Sequence, residues 1–102
     1  MGKTTEATTE AVKVPLSIDV AGAVLYHFGD HRNGLKPGSF VTHLLRALGA
    51  SDASNRAKLR AVFPEYVRAF ELATFHAWGL NYLTSIVRSE SFDLENTLEL
   101  TL

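Results

Sequence analysis

Between Val12 and Val20 the chain alternates, with Val12, Val14, Leu16, Ile18 and Val20 on one side and Lys13, Pro15, Ser17 and Asp19 on the other. A two-residue period of this kind predicts a half-buried strand. Pro15 cannot donate to a ladder, so the strand belongs at a sheet edge. The period then lengthens. Val20, Val24, Leu25 and Phe28 share one side of a helix that Ser17 or Asp19 can cap. The helix should run to Asn33, with Gly34, apolar Leu35 and Pro37 as its termination signal. Pro37 opens a second helix carrying Phe40, Val41, Leu44, Leu45 and Leu48, with Gly49 as its stop. Ser51 or Asp52 caps a third helix through Asn55, Arg56, Leu59 and Val62, which Phe63-Pro64 should end.

From Pro64 a helical pattern extends to Arg88, which as one rod would be about 37 Å long. Its apolar stripe changes sides. Tyr66, Ala69, Phe70, Ala73 and Ala77 lie together in the first half, whereas Tyr82, Leu83, Ile86 and Val87 lie nearly opposite in the second. Either the helix breaks near Gly79 and Asn81, or it stays whole and its halves pack on different bodies. The end alternates again: Phe92, Leu94, Leu98, Leu100 and Leu102 oppose Asp93, Glu95, Thr97, Glu99 and Thr101, which predicts a second strand. The expected fold is therefore α+β and mainly helical, with four helices between two terminal strands. Two strands alone are marginal in water, so the expectation pairs them in a small sheet across a homodimer. Residues 1–10, Thr-rich with no apolar face, read as a disordered tail, and 11–102 as one domain.

The run Gly34-Leu35-Lys36-Pro37-Gly38-Ser39-Phe40-Val41, preceded by a helix and followed by Leu44-Leu45, Asp52 and Asn55-Arg56, resembles a segment of small uncharacterised proteins of actinobacterial phages and prophages. The resemblance covers about residues 20–56. It implies a phage-encoded accessory protein made in a bacterial cytoplasm, where such proteins act by binding and diverting host proteins, with growth inhibition or cytotoxicity as the outcome. It carries no functional residues.

Composition narrows the chemistry. With no Cys, disulfides, thiolate nucleophiles and Cys-based metal sites are excluded. No run of 18 apolar residues suits a membrane span, and Met1 to Glu10 lacks the cationic and then apolar order of a secretory signal, so the expected location is cytoplasmic, away from the membrane. The net charge of −1 hides a segregation. Residues 31–88 hold eight Lys and Arg against Asp52, Glu65 and Glu71, while residues 89–102 carry only acids.

His27 and His31, four apart, could share a helix face and hold a metal, but closing the site would need His43 or His76 from elsewhere. Ordinary helix-end histidines account for the pair, and no metal or other cofactor is expected. Ser39, Ser51 and Ser54 sit beside helix starts, where capping accounts for them, and Lys36-Pro37-Gly38-Ser39 lacks the glycine spacing of a phosphate loop. No acid and base pair is evident, so the chain reads as no enzyme. The leading expectation is a protein-binding effector using the aromatic stretch Leu72, Phe75, Trp78 and Tyr82 as its interface. The alternative is a small DNA-binding regulator with a helix-turn-helix-like pair at residues 38–62, contacting nucleic acid through Asn55, Arg56, Lys58 and Arg60. That basic face would equally suit an acidic protein partner.

Overall fold

The computed structural model describes residues 15–92, and these form five helices joined by short connections. They are α1 (Ile18–His27), α2 (Ser39–Ala50), α3 (Ala53–Val62), α4 (Pro64–Phe75) and α5 (Gly79–Val87). Among the described residues there is no strand, so the expected α+β sheet is corrected to an all-helical arrangement. Residues 12–14 of the first predicted strand and 93–102 of the second lie outside the described residues.

Where the first strand can be checked, local chemistry overrides the alternation. The Ser17 hydroxyl accepts a hydrogen bond from the Val20 amide, and Asp19 sits in the first turn, where a carboxylate complements the positive end of the helix. Six consecutive residues from Val20 to Leu25 are then buried. Helices α5, α4 and α2 all pack on α1. Burial on every side erases the one-sided stripe, so the period-2 reading found a pattern where a buried helix needs none.

Helix α1 also ends earlier than expected. Gly29, at φ +99°, takes the left-handed position after the helix. Its amide donates to the Tyr26 carbonyl, and the Asp30 amide to the Leu25 carbonyl, which together make a Schellman termination. Gly34 serves differently. A Cβ there would lie 2.5 Å from the Tyr26 nitrogen, so its lack of a side chain lets the connection pack on the last turn of α1. The Leu35 amide donates to the Gly22 carbonyl at 2.9 Å, folding that connection back along α1.

Helix α2 buries Leu44, Leu45 and Leu48 and runs through Gly49 rather than stopping there. Its last turn is satisfied by Ser51, whose hydroxyl donates to the Leu48 carbonyl at 2.7 Å. Asp52 caps α3 by accepting from the Asn55 amide. Phe63 both closes α3 and precedes Pro64, the first residue of α4, so one residue links two helices that fold back as a hairpin.

The long segment after Pro64 is interrupted at His76–Trp78. His76 adopts an extended backbone, and α5 restarts against α4 so closely that a Cβ on Gly79 would lie 1.8 Å from the Leu72 carbonyl oxygen. This break accounts for the change of apolar side. Val67, Ala69, Phe70 and Leu83 join α1 in the main core, while Leu72 and Trp78 form a smaller cluster with Leu16, Tyr82 and Phe92 against it. Helix α5 ends in a second Schellman motif, with Ser89 at φ +56° in the left-handed position.

Candidate functional site

The interface quartet expected from sequence separates. Leu72 and Trp78 are buried within the chain's own second core, and Tyr82 is half-buried beside them, its ring 5.2 Å from Phe92 and 6.1 Å from Trp78. Burial pushes the Tyr82 hydroxyl up from its ordinary pKa. Leu72 and Trp78 therefore cannot present a surface. Phe75 alone of the four is open, with 60% of its surface exposed. The reason is the break after it: the stripe turns inward at Trp78 because α5 folds back on α4.

The basic middle is organised around a residue that composition alone does not single out. Glu71, on α4, faces α3 and accepts from Arg56 Nε at 3.2 Å and from Arg60, and it lies 3.5 Å from Arg68 Nη1. Arg56 also places its guanidinium 5.4 Å from the centre of the Phe75 ring. One carboxylate thus holds three arginines, and the seam keeps an excess of positive charge. The other two acids of this stretch are committed as well: Asp52 caps α3, and Glu65 accepts from the Ser17 amide at 3.0 Å, tying the start of α4 to the start of α1.

Asn55 and Lys58 stay exposed on α3, whereas Arg56 and Arg60 turn towards Glu71. Helix α3 packs chiefly on α4, and α2 packs on α1 and α4. No residue of α3 is fully buried; Leu59 packs partly buried against the main core, and α3 is held chiefly by α4 rather than by α2. The pair at 38–62 is thus sequential but not a packed unit.

At the turn end of the hairpin the chain shows apolar surface, including Phe40, which its spacing places on the apolar side of α2. Phe40 and Val62 are 62% and 67% exposed, and the Phe40 ring lies 5.7 Å from that of Phe63. Val20, Val62, Phe63, Pro64 and Tyr66 line a shallow depression beside them, together with Glu65, whose carboxylate is the one that accepts from the Ser17 amide. Lys58 stands one turn before Val62, on the same side of α3. Exposed apolar groups thus stand at both ends of the hairpin, Phe75 near Arg56 and Phe40 and Val62 beside half-buried Phe63 at the turn, with cationic side chains between them.

A second polar feature lies at the other side of α1. His27, His31, Tyr26, Thr42 and Arg46 line a cleft of about 240 Å³. The His31 ring stacks on Tyr26 at 4.3 Å, and His27 packs 5.3 Å from Phe28 and 6.1 Å from Phe70. Burial, and then the charge of Arg46, lower the His27 pKa from its usual value. Asp30, next to His31, is engaged by the Asn33 amide, the Asn33 side chain and the Arg32 amide; these bonds, those of Asn33 first, hold its carboxyl below the usual range. Among the described residues no three His, Asp or Glu side chains are grouped as metal ligands, so His43 and His76 do not complete a site with His27 and His31.

Among the described residues no helix is long and apolar enough to cross a membrane. No known family, no curated protein and no solved structure matches the chain.

Proposed function

We propose that the chain is a non-enzymatic binding module whose α3–α4 hairpin docks an acidic, amphipathic segment of another protein. The observation that carries this reading is the combination on one hairpin of three apolar side chains more than half exposed, Phe40 packed on it, Val62 and Phe75, with the arginine-rich seam between them. Single exposed apolar residues are ordinary, but paired aromatic and aliphatic groups beside unspent positive charge are what an interface core and rim require. Charge complementarity selects the partner. Glu71 is the sole carboxylate paired with Arg56, Arg60 and Arg68 among the described residues, so an incoming acidic segment meets net positive charge at the seam and apolar contacts at its ends. The resemblance to phage and prophage accessory proteins supports a host protein in a bacterial cytoplasm as the source of that segment.

Photo-crosslinking groups placed at Phe40 and Phe75 in living bacteria test the surface. Both positions should trap one and the same protein, and Lys58→Glu with Arg60→Glu should abolish the trapping, whereas a crosslinker at Asn81 on α5 should trap nothing. Dimer formation in light scattering that is lost in Phe40→Ser would reassign the patch to a second copy of this chain. A salt-dependent shift of random duplex DNA that disappears in Arg56→Ala with Arg60→Ala would replace the reading with a DNA-binding one.

A further inference from the structure

We infer that the cleft between the end of α1 and α2 is a second, independent binding site, one that takes a phosphoryl group. Three observations converge there. First, Arg46 is an uncompensated charge: among the described residues, all four ion pairs fall elsewhere, three of them on Glu71 and one between Arg88 and Glu90. Second, the remaining polar groups at the cleft wall are the imidazoles of His27 and His31, the Tyr26 hydroxyl and the Thr42 hydroxyl, which donates to the Gly38 carbonyl at 2.9 Å, with no carboxylate among them. Asp30, the nearest acid in sequence, lies outside the cleft wall and accepts three hydrogen bonds from Asn33 and Arg32, while its charge also acts on His31. Third, His27 and Arg46 share the cleft wall closely enough that the guanidinium charge, after burial, lowers the imidazole's pKa.

Size selects the ligand. Drug-sized ligands occupy pockets of about 300–1,000 Å³, so a cleft of about 240 Å³ admits a compact anion or the phosphoryl end of a small molecule rather than a whole cofactor. A guanidinium matches two phosphoryl oxygens in a planar fork, and imidazole and phenol hydroxyl groups can donate to the third. The stacked Tyr26 and His31 rings fix the wall on which those donors stand. The site shares no residue with the α3–α4 surface, so either can fail without the other.

Backbone amide shifts of the full chain, titrated with inorganic phosphate and separately with glycerol phosphate in a phosphate-free buffer, test the assignment. Saturable shifts confined to Tyr26–His31 and Thr42–Arg46 are expected, with a Kd on the order of 1 mM. Arg46→Gln, a change at an exposed position, should weaken binding at least about tenfold with the helical circular dichroism unchanged. His31→Gln should weaken it as well, which keeps the inference testable if one variant folds poorly. Tighter binding of the monoester than of inorganic phosphate would identify a phosphorylated metabolite as the ligand. Shifts that fail to saturate, that centre on Arg56, Arg60 and Arg68, or that persist in Arg46→Gln would overturn it.

Discussion

Replacing Glu71 by Gln keeps the shape of the side chain and one acceptor oxygen but removes the charge that three arginines share. The side chain is 13% exposed, and those of Arg56, Arg68 and Arg60 are 21%, 35% and 42% exposed. The Arg56 bond is therefore shielded enough to count as a charge-assisted hydrogen bond of about 1.5–2 kcal/mol. The two more exposed pairs contribute about 0.5 kcal/mol each after solvent screening. The amide retains part of the first bond, while the three guanidiniums are left to repel one another. The expected destabilisation is about 2–3 kcal/mol. In urea denaturation, with a slope of about 1–1.5 kcal/mol per molar for a domain of this size, the midpoint should fall by roughly 2 M. Adding 1 M salt, where the screening length is about 3 Å, should close much of the gap between variant and parent. A loss below about 0.5 kcal/mol, or a gap insensitive to salt, would refute the claim that this carboxylate joins α3 to α4.

Gly79→Ala places a methyl group 1.8 Å from the Leu72 carbonyl, where backbone must move; a loss of about 3 kcal/mol or more, or failure to fold, is expected in thermal melts, and a neutral result would reject the close approach of α5 to α4. Burial first, and Arg46 second, depress the His27 pKa in the folded chain. The unfolded chain therefore binds the extra proton sooner, and stability should fall as pH drops through about 6.5, levelling once the folded imidazole is also protonated. Asp30 adds a separate acid limb: its lowered pKa supplies stability above about pH 4 that is lost as pH falls through the folded value. Denaturation midpoints at pH 7.5 and 5.5 check the His27 effect, which His27→Gln should flatten; an unchanged slope in that variant would assign the loss elsewhere.

Helices α2, α3 and α4 were legible in the sequence because their signals are local: Asp52 as a cap, Pro64 as a first residue, and leucines at helical spacing on α2. In the sequence Gly34 carries the fuller termination pattern and Gly29 a weaker one, and only the fold shows that Gly29 ends α1 while Gly34 is needed for close packing on Tyr26. The strand reading of Ile18–Val20 failed because alternation and a helix buried on all sides give similar short runs. Of the proposed surfaces, Phe75 and the basic residues of α3 could be named from sequence. The exposure of Phe40 and Val62 could not, since an apolar residue at a helix end reads as core until the neighbouring helices are placed. The pairing of Arg56 and Arg60 with Glu71, 15 and 11 residues away, is likewise a product of the hairpin and of no local spacing.

Helix α3 contributes no buried residue, and its contacts with the rest of the chain run mainly through α4. In a cooperative structure such an element opens at lower free energy than the core around α1, so its amides are the first of the five helices to exchange with solvent. The surface assigned to partner binding therefore sits in part on the least protected of the five helices. A bound partner would slow exchange there without touching α1, and part of its binding energy would be spent ordering α3. The affinity of the module would then be adjustable by substitutions that only stiffen α3, at positions on it that make no contact themselves.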